Sequence, residues 1–328
     1  MQQIPAPAFM VNLAAGYFAP RCLHLVAQLG VADALGPTPM TSEELATATG
    51  AHADALHRML RLLATQGVFE LRDERWAHTH LSEHLRSDHP QSVRHFAMMM
   101  GDDINWRSAG ALAVSVRTGQ TGCDAVSPGG LWTYLRNHPE DARVFDAAMT
   151  SKSHQVIGAM LGAMDYGRYG HIADIAGGRG HVLAALLETA PRTHGTLFDL
   201  PDVVANALKH PRVRTQGGDF FKGPLPAADA YILSNILHDW ADPQAISILR
   251  QIRQAAPPHA ELLVVEMVLP DGSEPHPAMV MDLIMLSLAG GRERTQDQYN
   301  RIYAEGGFKL DRVVPLPSAY CIQVARPV

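Results

Sequence analysis

The sequence is poor in the features that mark several large classes of protein. Only three of its 328 residues are cysteines, Cys22, Cys123 and Cys321, and they lie far apart without a CxxC pair. This pattern excludes a zinc knuckle and a disulfide scaffold and favours a reducing cytoplasm. Charged residues make up 18% of the chain and hydrophobic residues 47%, a balance that excludes a disordered protein. At about 150 residues per domain, the length predicts two folded domains.

Basic residues and long apolar runs are also scarce. Lysine and arginine total 27 against 33 acidic residues, a net charge of -6, which argues against a surface that neutralises many phosphates. No apolar run approaches the roughly 18 residues of a membrane span, and the stretch from Ile4 to Pro20 lacks the basic leader of a signal peptide. We therefore expect neither nucleic acid nor a membrane as a partner, and we expect the N-terminal stretch to pack onto protein.

The first hundred residues have the pattern of short helices followed by a hairpin. In chain order the pattern predicts a helix from Pro20 to Gly30, a second opened by a Thr41–Glu44 capping box and ended by Gly50, a third with an apolar stripe at Leu56, Met59, Leu60 and Leu63, and a hairpin of Val68–Leu71 with Arg75–Thr79. This order is typical of a winged helix. Between Thr41 and Arg94 eight acidic residues outnumber six arginines, so we expect dimer packing rather than DNA binding.

The middle of the chain connects this module to a second domain. Residues 106 to 165 are predicted to form connecting helices, in which Trp106, Phe145 and Met149 are candidates for the wall of a pocket. We place the domain boundary so that residues 1–105 form the winged-helix module and residues 106–328 the second domain.

From Gly170 onward, apolar strands alternate with helices. The predicted strands are Ile172–Ala176, Gly195–Asp199, Ala228–Ser234 and Glu261–Met267. Such strands with helical crossovers predict a parallel sheet covered on both faces. One crossover is predicted to begin with Asp242 as its cap and Pro243 at its first position, and the chain to end with a helix from a Thr295–Gln298 capping box and a hairpin of Phe308–Val314 with Ala319–Ala325.

A glycine-rich turn follows the first of these strands. Asp174 to Gly180 reads Asp-Ile-Ala-Gly-Gly-Arg-Gly, and glycines there let backbone N–H groups approach a ligand closely. The dinucleotide fingerprint is not met because Leu183 stands at its third position, and no Gly-Lys-Ser/Thr follows for a triphosphate loop. A nicotinamide cofactor and a nucleoside triphosphate are therefore disfavoured, while another nucleoside remains possible.

Two acidic residues extend the pattern toward a nucleoside pocket. Asp199 ends the second strand, 19 residues past Gly180, a position from which a carboxylate accepts hydrogen bonds from ribose hydroxyls. Asp219 is followed by Phe220, which offers an acceptor for an exocyclic amine beside an aromatic face. Taken singly, Asp199 is better explained as a strand-end cap and Phe220 as a core aromatic, but together these residues indicate a nucleoside pocket.

His238 is the candidate base. It follows the strand that ends at Ser234, outside the carboxyl edge of the sheet, where ligands of such folds bind. Histidine, with an ordinary pKa of about 6.5, can take a proton near neutrality from a phenol, whose pKa is about 10. Glu266 closes the next strand and Glu293 follows a glycine pair, so either carboxylate could orient the imidazole.

Five segments in this order resemble the S-adenosylmethionine-dependent small-molecule O-methyltransferases, which include plant caffeate and isoflavone enzymes and bacterial enzymes that tailor natural products. The segments are Asp174–Gly180, Gly218–Phe221, His238–Trp240, Val265–Glu266 and Glu293–Thr295. The resemblance implies an α/β fold: a Rossmann-like class I methyltransferase domain, with a mostly parallel seven-stranded sheet and a C-terminal antiparallel hairpin, after a mainly helical winged-helix domain. In that family the winged-helix domain forms an intertwined homodimer.

The resemblance also implies roles for individual residues. His238 would be the general base, flanked and oriented by Glu266 and Glu293. The residues that would bind the cofactor are Asp174, Gly177, Gly178, Gly180, Asp199, Leu200, Gly218, Asp219, Phe220 and Ser234, and those that would contact the acceptor are Phe145, Met149, Asp239 and Met285. This sequence departs from the family at Ala176, where many relatives have glycine, and at Ser234, where plant enzymes often have lysine.

The expected reaction moves the methyl group of S-adenosylmethionine to a hydroxyl of a phenolic, phenazine or polyketide-type metabolite, without a metal, and releases S-adenosylhomocysteine. One alternative is an enzyme of the same fold with a diverted reaction, decarboxylation or hydroxylation. Another is a transcription regulator with a ligand-sensing domain. A metal-dependent enzyme is a third alternative. Against it, His78 and His80 are the one close histidine pair in the sequence, and they fall at the end of the predicted hairpin.

Overall fold

A computed structural model describes Pro5–Val328, apart from the side chains of residues 154 and 155; Ile4, where the apolar N-terminal stretch begins, lies outside these residues. The chain divides into two compact units. The first comprises the chain up to Trp106 together with Trp132–Lys152, and the second comprises Arg107–Leu131 with Ser153–Val328. The chain thus passes between the units three times, and the single boundary between residues 105 and 106 stays a prediction.

The first unit begins with the helices and hairpin that the sequence predicts. Its elements are α1 (Ala6–Ala14), α2 (Phe18–Gln28), α3 (Val31–Leu35), α4 (Ser42–Thr49), α5 (Ala53–Ala64), β1 (Phe69–Arg72), β2 (Arg75–His78), a 3-10 helix (Ser82–Leu85) and α6 (Arg94–Met100). The capping box is confirmed, because the Thr41 hydroxyl accepts from the Glu44 N–H while the Glu44 carboxylate accepts from the Thr41 N–H. Antiparallel β1 and β2 form the hairpin.

Helix α1 does not pack onto the rest of the described chain. None of its residues is buried, and the side chains of Phe9, Met10, Val11 and Leu13 are between 56% and 68% exposed. The expectation that this stretch packs onto protein is not met by contacts within the described chain, and it stays a prediction. Exposed apolar patches of this kind are typical of interaction surfaces.

The connecting region is helical, as the sequence predicts. Its helices are α7 (Asp103–Gly110), α8 (Leu112–Thr118), α9 (Gly122–Val126), α10 (Gly130–Asn137) and the 23-residue α11 (Pro139–Leu161). Phe145 and Met149 lie on α11 within the first unit, where the Phe145 ring packs edge-on against Trp132.

The second unit is built on a seven-stranded sheet. Its further elements are a 3-10 helix (Tyr166–Arg168), β3 (His171–Ile175), α12 (His181–Thr189), β4 (His194–Asp199), α13 (Pro201–Val204), β5 (Val213–Gly217), β6 (Ala230–Ser234), a 3-10 helix (Leu237–Asp239), α14 (Asp242–Ala255), β7 (Glu261–Met267), α15 (Pro277–Leu288), α16 (Gln296–Gly306), β8 (Phe308–Pro315) and β9 (Tyr320–Pro327). The strand order is β5-β4-β3-β6-β7-β9-β8, with β3 to β7 parallel and β8 and β9 antiparallel. The predicted mostly parallel sheet with a C-terminal hairpin is confirmed.

Helices cover both faces of this sheet. Successive residues of β3, such as Ile172 and Ala173, belong to two different apolar clusters, because successive side chains of a strand point to opposite faces. One cluster includes residues of α14 and α16, and the other includes residues of α12 and α11. All seven residues of β7 are buried, which is why its centre, Leu262–Val265, is a continuous apolar run in the sequence.

Two details of the second unit differ from the sequence predictions. Asp242 was expected to cap α14, but the N-cap is Ala241, and the Asp242 carboxylate instead accepts from Arg294. A distant cationic partner therefore replaces the local capping bond. Strand β5 does not appear among the predicted strands because Val213–Gly217 forms an edge of the sheet and has no buried residue.

Candidate active site

The order of the strands creates a crevice at one edge of the sheet. Strand β3 lies between β4 and β6. The sheet therefore grows from β3 toward β4 and β5 on one side and toward β6 and β7 on the other. In doubly wound folds the ligand binds outside the carboxyl ends of the strands at this point of reversal. The loops after β3, β4, β5 and β6 all begin at this edge, and they carry the predicted cofactor residues and His238.

The glycine-rich loop after β3 exposes its backbone at this edge. The N–H of Gly178 donates to Asp199 Oδ2 at 2.8 Å, and Asp199 Oδ1 accepts from the N–H of Leu200 at 2.7 Å. A Cβ atom on Gly178 would meet nothing within 4 Å, whereas one on Gly177 would overlap the Asp174 carboxyl group. Gly177 is therefore required for packing, while Gly178 faces open space that a ligand can fill.

Ala176 occupies a backbone conformation that favours glycine. Its φ angle is +56°, and its N–H donates to the carbonyl of Phe198 at 2.7 Å. A left-handed conformation costs a residue with a Cβ about 1–2 kcal/mol. This strain gives a physical reason for the glycine that many relatives have at this position.

Asp174 is a buried acid directly beneath the loop. It is 1% exposed, and its Oδ2 atom has no hydrogen-bond partner among the described residues. Burial, together with the negative charge of Asp199, raises the pKa of Asp174 from 3.8 to about 7. A carboxyl group in this state is suited to face a positively charged ligand, because the ligand's charge would stabilise the carboxylate form.

The loop after β5 places Asp219 and Phe220 in different surroundings. Asp219 Oδ1 accepts from the N–H of Phe221 at 2.9 Å, and Lys222 Nζ lies 3.2 Å from Asp219 Oδ2. These contacts, the backbone hydrogen bond first, lower the pKa of Asp219. The Phe220 ring packs edge-on against Trp240 at 5.9 Å between centroids, so the loops after β5 and β6 meet through an aromatic contact.

His238 lies on a short 3-10 helix that Glu266 holds from the adjacent strand. Glu266 is fully buried, and its Oε1 accepts from the N–H groups of Ile236, Leu237 and His238 at 3.0, 2.6 and 3.3 Å. Its Oε2 accepts from the hydroxyl of Tyr299. Glu266 was expected to flank and orient the histidine; the contact that the structure gives it is with the backbone of this turn.

Glu293 contacts the imidazole itself. His238 Nδ1 lies 2.6 Å from Glu293 Oε1, and both side chains are almost completely buried. On the other side of the ring, His238 Nε2 lies 3.5 Å from Asp239 Oδ1. A carboxylate beside Nδ1 favours the tautomer in which Nδ1–H donates to Glu293 and Nε2 carries the lone pair.

Sequence reasoning missed three residues that build this turn. The buried guanidinium of Arg294 donates to the carbonyls of Leu237 and Trp240, both at 2.8 Å. Asp282 on α15 accepts from the N–H of Glu293 at 2.8 Å, and Gly291 lies directly against the His238 backbone. Arg294 and Gly291 are close to Glu293 in the sequence, but no local pattern shows that their partners lie some 50 residues earlier.

The predicted acceptor residues lie in both units. Met285 is buried on α15 of the second unit, near the chain reversal that leads to Glu293. Phe145 and Met149 belong to the first unit, and their role at the acceptor stays a prediction. His78, one of the two histidines considered for a metal, is engaged within the first unit, because its ring nitrogens bond to Ser82 and to the carbonyl of Ala32. Between Pro5 and Val328 no group of three or more metal-binding side chains is found.

Gly291→Ala should displace the turn that carries His238. An added Cβ would overlap the His238 carbonyl oxygen and the Asp239–Trp240 peptide, so the turn must shift. A misplacement of about 1 Å lowers turnover on the order of a hundredfold. Steady-state kinetics of the methyl transfer that the resemblance implies would measure this loss. Gly158→Ala is the matched control, because a Cβ there meets nothing within 4 Å. Equal turnover in the two variants would contradict this account of Gly291.

Asp174→Asn should make the ligand-free protein less sensitive to pH. Because the pKa of Asp174 is raised to about 7 in the folded protein, its contribution to stability is complete below pH 3.8 and is lost as the pH rises through 7. The free energy of unfolding of Asp174→Asn, relative to wild type, should therefore increase between pH 5 and pH 8.5 in urea titrations. The exposed Asp271→Asn is the control. A difference that stays constant with pH would contradict a raised pKa at Asp174.

Comparisons with known proteins identify the family of this chain. Family profiles match an O-methyltransferase domain at residues 110–309 and an O-methyltransferase dimerisation domain at residues 11–88. A phenazine O-methyltransferase from Lysobacter antibioticus is 39% identical over 333 aligned positions, covering 99% of this chain and 97% of that protein. An 8-amino-8-demethylriboflavin N,N-dimethyltransferase from Streptomyces davaonensis is 34% identical, covering 92% of this chain and 89% of that protein.

A solved structure extends the comparison to the cofactor. An O-methyltransferase from neocarzinostatin biosynthesis, in complex with S-adenosylmethionine and 2-hydroxy-5-methyl naphthoic acid, has a TM-score of 0.82 at 31% identity and covers 100% of both chains. In the described part of the present chain, no helix has the length and apolar character needed to cross a membrane.

The profile matches and the similarity to whole relatives show that the chain belongs to the S-adenosylmethionine-dependent O-methyltransferases, with both the methyltransferase and the dimerisation domains of that family.

Proposed function

We propose that this enzyme methylates a hydroxyl group of an aromatic small molecule and that His238 is its general base. The observation that carries the proposal is the buried pair of His238 Nδ1 and Glu293 Oε1, 2.6 Å apart, beside the cofactor edge of the sheet. This contact directs Nε2 toward the role of proton acceptor. Near neutral pH such a nitrogen can accept the proton of a phenol whose own pKa is about 10.

The loops at this edge fit S-adenosylmethionine, which supplies a methyl group activated by a positively charged sulfur. The fit rests on the open space beside Gly178 and on the buried oxygen of Asp174. We assign the ribose hydroxyls to the carboxylate of Asp199 because it ends β4 at this edge, beside the glycine-rich loop whose Gly178 N–H it accepts. The residues that would hold the cofactor are Asp174, Gly177, Gly178, Gly180, Asp199, Leu200, Gly218, Asp219, Phe220 and Ser234.

The chain's own residues contribute alignment and proton removal. His238 takes the hydroxyl proton as the acceptor oxygen attacks, and Glu293 stabilises the imidazolium that forms. Glu266 fixes the turn through three backbone N–H groups, which limits the movement of the imidazole. Holding the reactants in line contributes the larger part of the rate, because orientation alone is worth several orders of magnitude. We propose that no metal takes part.

Relatives favour an aromatic acceptor from secondary metabolism. One acts on phenazines and another was solved with a naphthoic acid bound. We propose Met285 and Asp239 in the second unit as acceptor contacts. Because one relative dimethylates an amino group, an aromatic amine is the second candidate acceptor.

We further propose that the enzyme works as a homodimer in the cytoplasm, without nucleic acid or membrane partners. The exposed apolar side chains of α1 and the dimerisation profile support the homodimer. The buried, unpaired state of Cys22, Cys123 and Cys321 supports a reducing compartment.

Mass spectrometry of reaction mixtures tests the reaction directly. The protein is incubated with S-adenosylmethionine and matched hydroxy- and amino-substituted phenazines and naphthalenes. Addition of a methyl group to oxygen supports the proposal, whereas addition to nitrogen alone supports the second candidate. Loss of carbon dioxide or gain of oxygen would identify a diverted reaction. An electrophoretic shift with DNA at moderate salt, with no conversion of any acceptor, would favour a regulator.

His238→Ala should remove the base without disturbing the cofactor site. Turnover is expected to fall on the order of a hundredfold or more, as for a lost general base, while the Kd for S-adenosylhomocysteine stays within about twofold of wild type. Steady-state kinetics and calorimetry measure the two quantities. His259→Ala is the control, because His259 pairs with Asp229 where β6 and β7 begin, at the opposite end of the sheet. Full activity in His238→Ala would refute the assignment of the base.

A further inference from the structure

Arg294 is a fully buried cation next to the turn that carries His238, and it has no role in the reaction proposed so far. The Arg294 side chain is 0% exposed, and no other lysine or arginine among the described residues is buried. Its guanidinium donates to the carbonyls of Leu237 and Trp240, and its Nε and Nη2 donate to Asp242 Oδ1 at 2.9 and 2.8 Å. Asp242 is its carboxylate partner and is itself 45% exposed. Burying a guanidinium costs several kcal/mol unless its contacts are well satisfied.

Arg294 and Glu266 hold the same turn through opposite kinds of backbone group. Glu266 accepts from N–H groups at the start of the turn, and Arg294 donates to carbonyls at positions 237 and 240. His238 lies between these two contacts. The backbone of the turn that carries the imidazole is therefore held on both sides by charged groups.

The charges around the imidazole are mostly negative. Glu293 contacts Nδ1, Asp239 lies 3.5 Å from Nε2, and Glu266 lies behind the turn. Negative neighbours favour the protonated imidazole, and a protonated imidazole cannot act as a base. The other charged or titratable groups around the turn are Asp242, Asp282, Arg292, Arg294, Tyr299, Tyr303, Tyr320 and Cys321. Within this set Arg294 is the buried cation.

We propose that Arg294 is a positioning residue that both fixes the His238 turn and, through its buried positive charge, keeps the imidazole neutral at physiological pH against three carboxylates. The proposal rests on the proposed function, in which neutral His238 accepts the proton. It adds a distinct requirement, namely that the pKa of the imidazole depends on the charge balance between Arg294 and Asp242.

The test is an NMR titration of the His238 ring in three variants bound to S-adenosylhomocysteine. The chain has 17 histidines, so the His238 signal is assigned as the one missing from His238→Gln. Arg294→Met removes the cation and should raise the imidazole pKa by about one unit. Arg294→Lys keeps the charge but lacks the planar fork, so its imidazole pKa should stay near wild type. Asp242→Asn removes the counter-charge and should lower the imidazole pKa.

Turnover separates the two parts of the proposal. Arg294→Lys should lose turnover on the order of tenfold or more through poorer alignment, although its imidazole titrates normally. If Arg294→Met does not fold, the two remaining variants still decide the matter, because the imidazole pKa should be unchanged in Arg294→Lys and lowered in Asp242→Asn. An imidazole pKa that does not fall in Asp242→Asn, or that rises as far in Arg294→Lys as in Arg294→Met, would overturn the proposal. Activity in His238→Ala would instead refute the proposed function and leave the titration result intact.

Discussion

The buried contact between His238 and Glu293 is the interaction on which the rest of the site depends. Two almost fully buried groups 2.6 Å apart define which imidazole nitrogen carries a proton and which accepts one. The supporting residues act on the backbone at either end of this pair. Asp282 holds the N–H of Glu293, and Glu266 holds the turn that carries His238. The fold thus brings residues from β7, α15 and two loops to a single ring.

At the edge of the sheet where the cofactor is proposed to bind, an acidic side chain is likewise shielded from solvent. Asp174 is buried with one oxygen that lacks a partner, while Gly178 leaves open space above it. A cationic ligand entering there would gain from a carboxyl group that water does not reach. The strained backbone at Ala176 is consistent with a loop whose shape serves binding, because strain of this kind collects at functional sites.

Much of this organisation is predictable from the sequence, for identifiable reasons. The centre of buried β7, Leu262–Val265, is a continuous apolar run, and the Thr41 and Thr295 capping boxes depend on residues three positions apart. Such local signals do not reveal Arg294, whose partners Leu237 and Trp240 are distant in sequence, nor the edge strand β5 with its exposed residues. The same limit explains the error at Asp242, because its local position suggests a cap while its actual partner comes from a later loop.

The central claim is that His238 Nε2 receives the proton of the acceptor hydroxyl. A crystal structure of the enzyme with S-adenosylhomocysteine and a bound hydroxylated aromatic tests it most directly. The account predicts that the hydroxyl oxygen lies about 3 Å from Nε2, with Nδ1 still on Glu293. An acceptor oxygen bound to another side chain, with the imidazole turned away from it, would contradict the account.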